Sequence, residues 1–256
     1  MIKGMKKIYL SLIILFLYAP IIVLVIFSFN ESKNRNVWTG FSLKWYAELF
    51  RDRDILSALK YTFIIAIIAA VVSTLIGTLA SIGMFRLKKF SFNLVKNVTY
   101  IPVLNPDIVT GISLMLLFVF LQFEMGFVTM LLSHITFCIP YVILSVLPKL
   151  KQTDISVYEA AQDLGATPMT ALWKVVIPEI RPGIVTGFLL AFTLSVDDFV
   201  ISYFTSGNGV ENLSMVVFSM ARKGINPTIN ALSTLLFVLV MSLLLVINKK
   251  NKESLF

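Results

Sequence analysis

Residues 154–182, DISVYEAAQDLGATPMTALWKVVIPEIRP, form the longest polar passage between two apolar runs. Thr153 or Asp154 can accept a hydrogen bond from free backbone N–H groups and cap a helix running to about Leu164, where Gly165 tolerates positive φ. Thr167 can cap a second helix whose first residue, Pro168, has no donor to lose there, and Pro178 is expected to stop it. The expected product is a helical hairpin. On its first arm Tyr158, Ala161 and Leu164 share one face, and Glu159 and Asp163, four apart, share another. Ala160, Ala161 and Ala166 are small enough for a partner to approach the backbone. Periodicity alone fits an ordinary amphipathic loop with a solvated acidic face equally well.

Working outward, the chain of 256 residues is 57% hydrophobic with mean hydropathy +0.87. A soluble domain needs far less apolar surface, so lipid is the solvent for most of it. Runs of roughly 20 apolar residues, the length that crosses a hydrocarbon core of about 30 Å, lie near 8–29, 61–85, 98–121, 127–147, 183–204 and 229–247. Unpaired backbone is not tolerated in lipid, so the fold class is an all-α integral membrane protein of six transmembrane helices. The expected organisation is an anchor helix with an outer segment (1–57), a multi-span helical domain (58–247) holding the 154–182 hairpin, and a tail (248–256).

The net charge of +8 does not call for nucleic acid, because of how it is distributed. With the N-terminus inside, 14 of the 22 Lys and Arg fall on the inner side. Six of the remaining eight sit in the long first outer segment, where the rule is weak. The orientation is N-in and C-in, with the hairpin cytoplasmic. Lys3, Lys6 and Lys7 precede the first run as in a signal peptide, but the run is too long for one and lacks a small-x-small cleavage site, so it reads as an uncleaved anchor. Cys138 is the only cysteine and His134 the only histidine. That leaves no disulfide and no metal set, and it makes Cys138 a small packing residue.

Several local features mark the spans. In the outer segment Phe41, Trp45, Leu49 and Phe50 recur at helical spacing, suggesting an interfacial helix with Trp45 and Tyr46 at headgroup level; cargo contact is the other reading of Trp45. Gly77, Ala80, Ser81 and Gly83 permit close helix packing. Residues 86–96 carry four basic groups and no acid, and read as a short inner turn. Pro102 and Pro106 each remove a donor, so a kink is expected near Asn105. His134 reads as a buried group bonded to a neighbouring helix. The apolar stretch 213–220 is too short to cross and should be re-entrant or interfacial, closed by Arg222, Lys223 and Gly224.

Asp107, Asp197 and Asp198 are the acids within these runs, and no Lys or Arg accompanies them. A carboxylate at the bilayer centre costs at least about 2.5 kcal/mol, so each should face a polar path, carry a proton or meet a cation. A cationic cargo is one such partner; hydroxyl groups or a second subunit's basic residues are the other. Neighbouring aromatics, Phe199, Tyr203 and Phe204, could attract amines through their π faces. Adjacent residues on a helix point about 100° apart, so Asp197 and Asp198 should not share one pore face.

Glu159, Ala160 and Ala161, then Gly165, then Val175, Ile177 and Pro178 resemble the EAA signature of type I (MetI-like) ABC importer permeases. The spacing is intact, with Val for Ile at 175 and Ile for Leu at 177. The wider context, FSLKWY, PDIVTGISL, SHITFCIPYV, DLGATP, LAFTLSVDDFVIS and NALSTLL, is similar to the PotC subfamily of spermidine/putrescine permeases. The resemblance implies half of a heterodimeric channel in a prokaryotic cytoplasmic membrane, paired with a PotB-like permease and fed by a PotD-like extracytoplasmic polyamine-binding protein. It also implies that Glu159, Ala160, Ala161, Asp163, Gly165 and Pro178 couple the chain to a PotA-like ATPase dimer. No GxxxxGK[ST] loop occurs, so ATP and Mg belong to that partner, this chain needs no cofactor, and it is not itself an enzyme. Asp107, Asp198, Asp197, Asn105, Tyr203 and Trp45 are the candidate substrate-path residues. Rival readings are the same machine with another cargo (a cationic amino acid, thiamine or a sugar), or a proton-coupled carrier or channel using Asp107 and His134. A membrane enzyme has no nucleophile and base pair to support it.

Overall fold

The computed structural model describes residues 2–33, 37–223 and 227–253. Their helices are, in chain order, α1 (Ile2–Ser28), α2 (Lys44–Leu49), α3 (Arg53–Phe85), α4 (Lys89–Leu104), α5 (Asp107–Phe120), α6 (Phe127–Gln152), α7 (Ile155–Asp163) and α8 (Pro168–Ala171). After a wide π turn, Leu172–Val176, come α9 (Ile177–Asp197), α10 (Val200–Thr205), α11 (Leu213–Lys223) and α12 (Pro227–Glu253). Among the described residues four stretches are long and apolar enough to cross a bilayer, or five if the bent pair α4 and α5 is one span. Within α12 the apolar part is Pro227–Val238; much of the remaining run expected to 247 lies outside the residues whose side chains are described, as does Gly224.

The chain divides into two compact units, residues 1–56 with 216–256, and residues 57–215. In the first, α12 packs along α1 and against α2. The chain leaves α1 through an antiparallel bridge between Asn30 and Phe41, with the Phe29 and Phe41 rings stacked 5.2 Å apart. The Asn30 amide donates to the Val37 carbonyl (2.9 Å) and its carbonyl accepts from Thr39 N–H (3.1 Å). Beside this knot the helix expected from the 41–50 spacing is confined to Lys44–Leu49. Only the six residues of α2 are helical before α3 begins, because Asp52 Oδ1 accepts from the N–H groups of Asp54 and Ile55 and starts α3 eight residues ahead of the expected span. At 1.5 Å per residue, α3 is about 50 Å long.

In the second unit the core lies where α6 meets α9, around Val142, Val146, Leu150, Ile180 and Ala191. Lipid tails are as apolar as leucine, so close approach rather than hydrophobicity holds such helices together. A Cβ on Gly183 would stand 2.9 Å from Lys149 Cγ, one on Gly187 3.2 Å from Val142 Cγ1, and one on Gly77 of α3 2.7 Å from Val142. Gly77 and the buried Ser81 therefore serve as expected, whereas Gly83 faces open space within this chain.

Three further boundaries depart from the sequence reading. The turn expected over 86–96 is only residues 86–88, because Lys88 is extended and α4 starts at Lys89. The kink at Asn105 is a full break: Asn105 and Pro106 are extended and α4 and α5 meet at 104°. The fifth run also breaks, at Asp198, whose backbone is extended between α9 and α10.

Candidate functional site

The hairpin forms from its own neighbours. Asp154 caps α7 by accepting from Ser156 N–H at 3.0 Å, and that bond, followed by the Ser156 hydroxyl, holds its carboxyl below the usual range. At the other end Gly165 adopts φ +91°, Gly165 N–H donates to Gln162 O (2.8 Å) and Ala166 N–H to Ala161 O (3.0 Å). That is a Schellman closure, in which the second alanine of the EAA triplet supplies the acceptor. Thr167 Oγ1 accepts from Thr170 N–H at 3.2 Å, with Pro168 in the first position of α8.

Pro178 does not end the second arm. Ile177 N–H reaches back to Leu172 O across the π turn, and this wider turn lets the donorless Pro178 enter the next helix without breaking it. The arm therefore runs on into the fifth span; Pro168–Asp197 is one 30-residue apolar stretch. Glu159, Ala160, Asp163, Gly165 and Pro178 are exposed, and Ala161 is half-buried beside Tyr158 and Gln162. Leu164 does not join that packed face: beyond the last helical residue it turns outward and is 89% exposed. Met169 and Trp173, which the sequence reading did not single out, are exposed large apolar side chains on the second arm.

The second polar centre is buried. Asp198 accepts from Ser202 N–H (2.7 Å), Ser202 Oγ–H (2.8 Å) and Ile201 N–H (3.2 Å), which caps α10. Asn212 Nδ2 donates to the Asp198 carbonyl and to Ser202 Oγ, both at 2.7 Å, while its Oδ1 accepts from Met215 N–H and starts α11. His134 Nδ1 lies 2.6 Å from Ser195 Oγ, and Nε2 lies 2.8 Å from Ser202 Oγ and 3.5 Å from Asp198 Oδ2. Proton counting assigns the tautomer. The Ser202 hydroxyl gives its one proton to Asp198 and receives from Asn212, so His134 donates from Nε2 and, as a neutral imidazole, accepts at Nδ1 from Ser195. His134 is thus a bonded core group, as expected, and its hydrogen bonds and ion pair go to Ser195, Ser202 and Asp198. The sequence signs of this knot were the spacing of Ser195, Asp198 and Ser202 and the asparagine before an apolar helical run.

The remaining path candidates separate. Asp107 is the first residue of α5, exposed beside the exposed Asn105 at the break. Gly111 seats α5 against α10, since a Cβ there would lie 3.1 Å from Phe204 and 3.4 Å from Ile201 Cα. The same short helix carries Tyr203, 56% exposed, with its ring 5.6 Å from Phe199 and 5.5 Å from Phe204. Asp197 is exposed at the end of α9, so the two adjacent aspartates do face differently. Trp45 presents no exposed surface in this chain. It is fully buried in the first unit because its indole N–H donates to the Asn30 carbonyl (2.6 Å), and Tyr46 OH pairs with Ser28 Oγ (2.7 Å). Among the described residues no group of His, Cys, Asp and Glu could hold a metal.

Residues 73–249 match the family described as "Binding-protein-dependent transport system inner membrane component". The chain is 45% identical over 228 residues to the putrescine transport system permease protein PotI of Escherichia coli K12, covering 86% of this chain and 81% of that one. It is 40% identical over 239 residues to the spermidine/putrescine transport system permease protein PotC of the same organism, covering 93% and 90%. In fold it is similar to a chain of a bacterial ABC transporter involved in alginate import, with a TM-score of 0.79 at 14% identity over 97% of this chain and 95% of that one. An intact EAA hairpin on an all-helical, membrane-length scaffold and a family match over most of the chain agree: the chain belongs to the binding-protein-dependent inner membrane components, the type I (MetI-like) permease subunits of ABC importers.

Proposed function

We propose that this chain is the channel-forming subunit of an ATP-driven polyamine importer. The observation that carries the cargo is its 45% and 40% identity to the putrescine and spermidine/putrescine permeases over at least four-fifths of both chains. A PotB-like permease completes the channel, a PotD-like extracytoplasmic protein delivers polyamine, and a PotA-like ATPase dimer binds ATP and Mg. The chain sits N-in and C-in, organised as 1–57, 58–247 and 248–256, with the hairpin in the cytoplasm. The exposed apolar side chains of Leu164, Met169 and Trp173 enter a groove of the ATPase, flanked by Glu159 and Asp163. Gly165 sets the bend, and the unbroken second arm passes the motion to the fifth span.

Cargo meets Asp107, Asn105, Asp197 and Tyr203, the exposed candidates. Asp198 acts differently: its carboxylate is occupied, so it shapes the break that presents its neighbours. In proteoliposomes holding the full complex, labelled putrescine and spermidine should enter only with ATP on the ATPase side and binding protein on the other. Asp107→Asn should cut uptake about tenfold, the scale of one lost charge-assisted hydrogen bond. Uptake that persists without ATP and collapses with the proton gradient would establish the carrier reading instead, and full uptake by Asp107→Asn and Asp197→Asn would remove both from the path.

A further inference from the structure

We infer that Arg86 and Tyr158 form the link through which movement of α7 reaches the end of α3. Tyr158 is the large residue on the inward face of α7 and packs against the α6 and α9 core. Its hydroxyl accepts from Arg86 Nη2 at 3.0 Å, and the guanidinium carbon lies 5.8 Å from the ring centroid. Arg86 is the first residue beyond α3, where Arg86 N–H still bonds to Gly83 O. The two residues are 72 positions apart, so the bond ties separate parts of the chain rather than one turn to the next.

Arg86 and Tyr158 line an apolar pocket of about 150 Å³ with Ile82, Phe85, Leu150 and Val176. Ile82 of α3 and Tyr158 of α7 both pack on the core cluster, and beside that pocket the guanidinium makes the direct polar bond between the two elements. The second arm already runs into α9 as one helix, so Arg86 gives the first arm its own connection, to a different span. Arg86 is a positioning residue and touches neither cargo nor nucleotide.

This inference rests on the importer reading, and the two fail differently: the wild-type complex tests that reading, the variants test this one. In proteoliposomes of the full complex, ATP hydrolysed per spermidine imported should rise about fivefold in Tyr158→Phe and in Arg86→Gln, the scale of one lost hydrogen bond. The double variant should be no worse than either single one. Arg86→Lys should recover part of the ratio with Tyr158 present and none in Tyr158→Phe. A structural role alone would lower hydrolysis and import in step, leaving the ratio unchanged, and would overturn the inference. So would additive effects in the double variant, or equal recovery by Arg86→Lys in both backgrounds, which would make surface charge the active property.

Discussion

The hairpin and the Asp198 knot use the same chemistry to opposite ends. Both are held by short polar side chains on helix termini. In the hairpin the bonds that cap and close its turns span two to five residues and lie at the surface, as with Asp154 to Ser156 or Ala161 to Ala166. In the knot His134 reaches 61 and 68 residues to Ser195 and Ser202, and the atoms are buried. A local, solvated bond can be lost with little effect on the rest of the chain. A buried one leaves several groups unpaired at once, in lipid, where water cannot replace it.

The sharpest way to break the contrast is Asp198→Ala, which strands two backbone donors and the Ser202 hydroxyl. It should lower unfolding stability in detergent by about 3 kcal/mol, the upper part of the range for unsatisfied buried groups; a drop under about 1 kcal/mol would show that water enters the knot. Asp198→Asn keeps an acceptor and should cost about half as much. His134→Ala should lower stability by about 2 kcal/mol with Ser195 and Ser202 both left without their shared partner. At the hairpin, Gly165→Ala forces a Cβ into φ +91°, a cost of about 1 kcal/mol. That strain should loosen hydrogen exchange in residues 155–170 without moving the global melting point. The smallest effect belongs to Asp154. Its folded pKa lies below the ordinary carboxylate value of about 4, so its capping contribution is complete above that value and is lost as pH falls through the lower folded one. Protection of the Ser156 amide, corrected for intrinsic exchange, should fall in that acid window and be absent at every pH in Asp154→Ala.

The same division explains what could be read before the fold was seen. The caps of Asp154 and Thr167, the positive φ of Gly165 and the break near Asn105 depend on residues within one turn, and each stands where the pattern placed it. The stop assigned to Pro178 failed because a π turn six residues long in its hydrogen-bond reach absorbs the missing donor, and no residue type announces such a turn. The early start of α3 was hidden by charge: Arg53, Asp54 and Lys60 lie outside the apolar run yet continue its helix. For Asp198 the hydroxyl alternative describes this structure, since its carboxylate accepts from the Ser202 hydroxyl and from the backbone of Ile201 and Ser202. Trp45 illustrates the limit most simply. Its amphipathic ring fits a membrane surface, but the carbonyl it bonds belongs to a turn fifteen residues earlier.

The unbroken run from Pro168 to Asp197 also sets a scale of distance. Thirty residues at 1.5 Å each make a rod of about 45 Å. Pivoted near one end, such a rod turns a tilt of about 5° into a sweep of about 4 Å at the other, close to the width of a methylene chain. A nudge of a few degrees at the hairpin end would therefore displace Asp197, riding at the tip, by about the width of one such chain.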